Sequence, residues 1–134
     1  GHDDRDRRAL LRLFLKADEG LLVREALQSQ GEGNQLERGD VLSVAKDERR
    51  SPQLRSQAIR ELGRKAPQSW LRTQFGSLLA DPEDAVARAS LYALFRSLRG
   101  LSLEEQQRRL ANLASDHADA EARRCASIAR KRWR

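Results

Sequence analysis

The residues best equipped for chemistry lie in the last third of the chain. Cys125 is the one thiol of the sequence, and it follows Arg123 and Arg124, whose guanidinium groups would favour a thiolate. No His lies near it in sequence to serve as a base. The plainer reading is a small core residue beside Ala126. Asp116, His117 and Asp119 are all metal-ligand types. A metal site needs three or four convergent donors, and neighbours within a turn point apart. They read as a solvated turn between helices. No acid–base pair stands in a recognisable frame, so the expectation is no catalytic residue, no metal and no cofactor.

Basic residues carry the clearest signal. Only Lys16, Lys46, Lys65 and Lys131 of the 26 basic residues are Lys. The planar guanidinium of Arg suits carboxylate or phosphate, although a GC-rich coding sequence would produce the same bias. Arg88, Tyr92, Arg96 and Arg99 are spaced i, i+4, i+8 and i+11, which on one helix would be a single face. Arg123, Arg124, Arg130, Lys131, Arg132 and Arg134 fall within the last 12 residues with no acid after Glu121, and Trp133 sits among them. Aromatics among Arg are what phosphate binding with base stacking would use. The alternative is that these are solvated faces and cations matched to helix C-termini, with Tyr92 and Trp133 packing on the next repeat.

The charge is uneven along the chain. Residues 1–50 carry 10 Lys/Arg and 11 Asp/Glu, residues 51–100 carry 8 and 4, and residues 101–134 carry 8 and 5, for a net charge of +6. The positive field belongs to the later two-thirds and favours an acidic partner there. A single Cys excludes an intrachain disulfide. No stretch has the roughly 18 apolar residues of a membrane span, and no signal segment is evident, which tips the reading slightly to the cytoplasm. The chain has no Met, even at position 1, so it reads as a piece of something longer. Gly1-His2 reads as a remnant of tag cleavage.

The elements that must position these residues follow from a repeat. A small-apolar stretch runs into an Asp, and an Arg follows six to eight residues later. The copies are Leu15-Lys16-Ala17-Asp18 with Arg24, Val44-Ala45-Lys46-Asp47 with Arg55, Leu78-Leu79-Ala80-Asp81 with Arg88, and Leu113-Ala114-Ser115-Asp116 with Arg123. The Asp positions are 29, 34 and 35 apart, a period typical of stacked helical repeats. Helix punctuation agrees. Ser51-Pro52 and Asp81-Pro82 each place a cap before a Pro at the first helical position. Ser102 and Glu105 fit a capping box. Gly100 stops a helix, and Ala66-Pro67 separates two. Apolar residues recur at helical spacing, as in Leu54, Ala58 and Leu62, or Val86, Leu91, Leu94 and Leu98.

The expected fold is all-α: a right-handed α-solenoid of about four antiparallel helix pairs, forming one domain over residues 3–134. The helices are placed at about 5–17 and 21–30, 35–46 and 52–65, 68–80 and 82–99, and 103–115 and 118–133. The repeats span about 5–30, 35–65, 67–99 and 102–133. Residues 29–34 hold two glycines and no apolar residue, so mobility is expected there.

These motifs resemble the HEAT family of helical repeats. The openings Val23-Arg24, Leu54-Arg55, Ala87-Arg88 and Ala122-Arg123, each with an apolar residue three positions on (Leu27, Ala58, Leu91, Ala126), match the start of that family's second helix. The resemblance covers nearly the whole chain. It implies a structural ladder of turn Asp and second-helix Arg, carried here by Asp18, Asp47, Asp81 and Asp116 with Arg24, Arg55, Arg88 and Arg123. The chain departs from the family's pattern in its short, Gly-rich first repeat, and in Gly39 and Asp40 within the second. Armadillo-like and tetratricopeptide-like arrays are the alternatives. Against the latter, Gln106 stands where a small residue is needed.

The resemblance implies an interaction scaffold with a basic concave surface, belonging to a larger protein or complex. Contacts with an acidic protein partner are expected at Arg60, Arg64, Tyr92, Arg96, Arg99, Arg124 and Lys131. Binding of a nucleic-acid backbone by the later Arg-rich repeats is the alternative. DNA glycosylases of HEAT-like architecture place a carboxylate and aromatics on the concave face, and no such set can be matched here.

Overall fold

Seven α-helices and one 3-10 turn account for 77% of residues 38–134, the part of the chain that the computed structural model describes, and no strand occurs among the described residues. The helices are α1 (Arg38–Lys46), α2 (Pro52–Lys65), α3 (Gln68–Gln74), α4 (Gly76–Leu79), α5 (Asp84–Leu94), α6 (Leu103–Asp116) and α7 (Ala120–Arg132), with the 3-10 turn at Arg96–Leu98. The described part of the chain is thus all-α. The first expected repeat, with Asp18 and Arg24, lies outside the described residues, as do the 29–34 stretch and Gly1-His2.

Local chemistry explains most helix ends. Ser51 Oγ accepts from Leu54 N–H at 3.2 Å, so Pro52 opens α2 at the position where its missing N–H is harmless. Ser102 Oγ accepts from Glu105 N–H at 3.2 Å and caps α6. Asp119 caps α7 through Glu121 N–H at 3.2 Å. Leu98 to Leu101 form a turn closed by the Leu101 N–H on the Leu98 carbonyl at 3.2 Å. Arg99 lies at φ −63°, ψ 132° and Gly100 at φ 85°, the type II arrangement that favours Gly third.

Two expected helices are interrupted. The helix placed over 68–80 bends at Phe75, which separates α3 from α4 at the Phe75-Gly76 step. The helix placed over 82–99 begins at Asp84 and ends at Leu94. Its start is displaced because Asp81 Oδ1 accepts from Glu83 N–H at 3.0 Å, an Asx turn that holds Pro82 outside the helix. Its end is displaced because Phe95 leaves the helical region, at φ −131° and ψ 78°, with its side chain buried. Beyond it the bonds tighten to i→i+3, Leu98 N–H to Phe95 carbonyl and Arg99 N–H to Arg96 carbonyl.

The chain divides into two compact units, residues 1–62 and 63–134, with the division inside α2. In the first, Val41, Val44 and Ala45 of α1 are buried, as are Leu54, Ala58, Ile59 and Leu62 of α2. Arg55 is buried at 2% exposure, and its Nε donates to the Ala45 carbonyl at 2.9 Å. In the second unit α6 packs chiefly on α7, α4 lies against α5 and α7, and α3 touches α5 and α7. The inner face of α7 is Ala122, Cys125, Ala126 and Ala129, all fully buried. Side chains this small let neighbouring helices approach closely, which suits a core with few aromatics.

Candidate interaction surface

The break at Phe95 decides where the basic residues go. Arg96 and Arg99 follow the break, so the expected stripe of Arg88, Tyr92, Arg96 and Arg99 is not one helix face. The Arg96 guanidinium donates to the Gly63 carbonyl. The Arg99 guanidinium lies 5.7 Å from the centroid of the Tyr92 ring. Tyr92 is half-buried, and its hydroxyl accepts from Gln106 Nε2 at 3.2 Å. That same buried amide reaches the Leu98 carbonyl at 3.2 Å and the Leu101 carbonyl at 3.1 Å, so Gln106 ties α6 to the turn that precedes it. A small residue at this position could make none of these bonds.

Arg88 belongs to a different cluster. Its Nε donates to Asp84 Oδ2 at 3.0 Å, one helical turn back. Trp133 Nε1 donates to Asp84 Oδ1 at 3.0 Å. The Arg88 and Arg132 guanidinium groups lie 5.1 and 5.4 Å from the indole centroid. Arg132 also donates to the Leu79 carbonyl at 3.2 Å, and Gln107 Nε2 donates to the Trp133 carbonyl at 2.6 Å. The end of α7 is thereby fastened to α4, α5 and α6. The indole N–H, with Arg88 in support, holds the Asp84 carboxyl below its ordinary value.

The expected ladder residues take several local roles. Asp47 accepts from the backbone N–H and guanidinium of Arg49 and from Arg50, and the Arg49 bonds lower its carboxyl's pKa. Asp81 closes the Asx turn described above. Asp116 is exposed and accepts from the Ser115 hydroxyl at 3.0 Å. Arg123 donates to the carbonyls of His117 and Ala118, at 2.6 and 3.2 Å, and so braces the turn before its own helix. A long-range ion pair in the second unit joins Arg72 of α3 to Asp119 at 3.1 Å. Asp119 is held in its low-pKa state first by the Glu121 N–H and then by Arg72. The sequence pattern pointed to Asp116 and missed Asp119, whose cap position before Ala120 was the available sign.

The candidate chemical groups are engaged structurally. Cys125 is fully buried, its thiol donates to the Arg72 carbonyl at 3.4 Å, and burial pushes its pKa up. His117 Nδ1 accepts from Asp119 N–H at 3.0 Å. Among the described residues no cluster of three metal-ligating side chains occurs, and no helix is long and apolar enough to cross a membrane.

Arg60, Arg64, Arg96, Arg99, Arg124 and Lys131 are all exposed. Arg124 pairs with Glu121 at 2.8 Å, and its guanidinium rests over Gly76. Arg60 belongs to the first unit and the others to the second. Charge follows the same division. Residues 63–134 carry 14 Lys/Arg against 8 Asp/Glu, whereas residues 1–62 carry 12 of each. The chain matches no family model, and neither a curated protein nor a solved structure is significantly similar to it.

Proposed function

We propose that this chain is a non-catalytic docking module, a HEAT-like α-solenoid whose basic surface receives an acidic protein segment. The observation that carries the reading is how the second unit uses its charges. Five of the unit's eight carboxylates, those of Asp81, Asp84, Glu105, Asp119 and Glu121, are engaged by a backbone N–H, an indole or a guanidinium within the unit, and Glu83, Glu104 and Asp116 are exposed. Arg96, Arg99, Arg109, Arg130, Lys131 and Arg134 remain exposed. The field beyond the surface is therefore cationic, and it would steer and hold an acidic ligand.

Tyr92 and Trp133, the aromatics among the basic residues, favour protein over nucleic acid. Base stacking needs bare rings. Tyr92 carries Arg99, and Trp133 carries two guanidinium groups and a carboxylate bond. The test is fluorescence anisotropy with a labelled polyglutamate peptide, competed by a mixed-sequence DNA duplex, at roughly 50 and 200 mM salt. Peptide binding that survives duplex competition is expected. Duplex binding without peptide binding would replace the reading with phosphate-backbone recognition.

A further inference from the structure

Adjacent arginines on α6 are used in opposite ways. Arg108 and Arg109 are both exposed, and Arg108 pairs with Glu105 at 2.9 Å. Arg109 makes no hydrogen bond or ion pair with any described residue. Instead it lines an open surface cavity of about 320 Å³ together with Ser97, Asn112 and Leu113. Asn112 and Leu113 follow Arg109 at i+3 and i+4, so one helix face supplies all three. Ser97 comes from the 3-10 turn that the Phe95 break creates. The Ser97 hydroxyl and the Asn112 amide also have no partner among the described residues. No carboxylate lines the cavity.

We propose that this cavity seats one glutamate side chain of the acidic segment. The inference rests on the docking reading and names its contact point. The guanidinium fork matches the two oxygens of a carboxylate. The Asn112 amide and Ser97 hydroxyl add donors from the sides, and Leu113 offers apolar surface to the methylene stem. The hollow opens to solvent, so a side chain can enter it from the surface without displacing protein.

The experiment titrates the labelled polyglutamate peptide onto the full chain and its variants at low salt. Arg109→Gln weakens binding about tenfold, because charge-assisted bonds are lost. Arg109→Lys recovers little of it, because an ammonium keeps the charge without the fork. Asn112→Ala and Ser97→Ala each weaken binding a few-fold. Arg108→Gln, which removes the same charge one residue away, has a much smaller effect. Equal losses in Arg108→Gln and Arg109→Gln would overturn the cavity and leave only a diffuse field. So would full affinity in Arg109→Gln while Arg99→Glu or Lys131→Glu weakens binding, an outcome that spares the docking reading. No binding by the unaltered chain overturns both. Unchanged circular dichroism and melting temperature in each variant exclude misfolding as the source of any loss.

Discussion

Trp133 shows how one hydrogen bond can change the meaning of a residue. Surrounded by Arg in sequence, it suits a stacking platform, but its N–H is on Asp84 and its ring carries Arg88 and Arg132. Trp133→Ala removes the ring, two cation–π contacts and the carboxylate's donor. A loss of about 2 kcal/mol is expected in urea unfolding, below the fully buried Trp→Ala range because the residue is half-buried. Trp133→Phe keeps the ring and should cost about 1 kcal/mol for the lost bond. A Trp133→Ala chain as stable as the original would refute this fastening. The carboxylates add a pH dependence. Asp84, Asp119 and Asp47 all have folded-state pKa values below the ordinary 3.8. Around that pH the unfolded chain binds more protons than the folded one, so stability rises with pH there. The contribution is present above 3.8 and disappears as pH falls through the lowered folded values. Melting temperature should drop as pH is taken below about 4, and an Asp84→Asn, Asp119→Asn double variant should flatten that drop. An unchanged slope in the double variant would remove these two carboxylates as the cause.

Helix packing turns on two glycines with opposite surroundings. A Cβ on Gly63 of α2 would lie 2.9 Å from the Ala93 Cβ of α5, whereas one on Gly76 would meet the Arg124 guanidinium at 2.9 Å. Ala93 is fixed to its backbone and cannot yield; a guanidinium can swing away. Gly63→Ala gains about 1 kcal/mol of helix propensity but should lose more to overpacking, and Gly63→Leu should lose more than about 3 kcal/mol. Gly76→Ala should be neutral or slightly stabilising. Chemical denaturation of the three variants checks the order, and a stabilising Gly63→Ala would mean that the helices part easily. The sequence revealed elements better than their interruptions. Apolar spacing found Leu54, Ala58, Leu62, Val86, Leu91, Leu94 and Leu98, every one of them buried. Ser51 and Ser102 marked helix starts because each acts through its own backbone neighbourhood, whereas Gly100 marks only the turn after the 3-10 segment, beyond the end of α5 at Leu94. The Phe95 break left no such mark. Phe is acceptable in a helix, and the departure accompanies burial of its ring and the Arg96 bond to Gly63, which are tertiary features. The expected Arg stripe needed one unbroken helix from Arg88 to Arg99, so the break misplaced it. The Arg109 face at i, i+3 and i+4 was readable, but only the 3-10 turn places Ser97 beside it.

Over the whole chain the net charge is concentrated, and that makes a local and a global account of affinity distinguishable. Residues 63–134 hold all of the +6 excess, since residues 1–62 balance 12 against 12. If affinity for an acidic peptide followed total charge alone, any Arg→Glu exchange would weaken it equally. Screening confines exposed charges to about 10 Å at 0.1 M salt, so position should matter. Arg99→Glu and Lys131→Glu, in the cationic unit, should each weaken polyglutamate binding about tenfold at low salt and reduce its salt dependence. Arg60→Glu makes the same charge change in the unit whose sequence carries no net charge, outside the docking surface proposed for the second unit, and should cost less than about twofold. Anisotropy titrations of the three variants at two salt concentrations decide the matter. A loss in Arg60→Glu equal to the others would put the first unit in the docking surface and make the field a property of the entire chain.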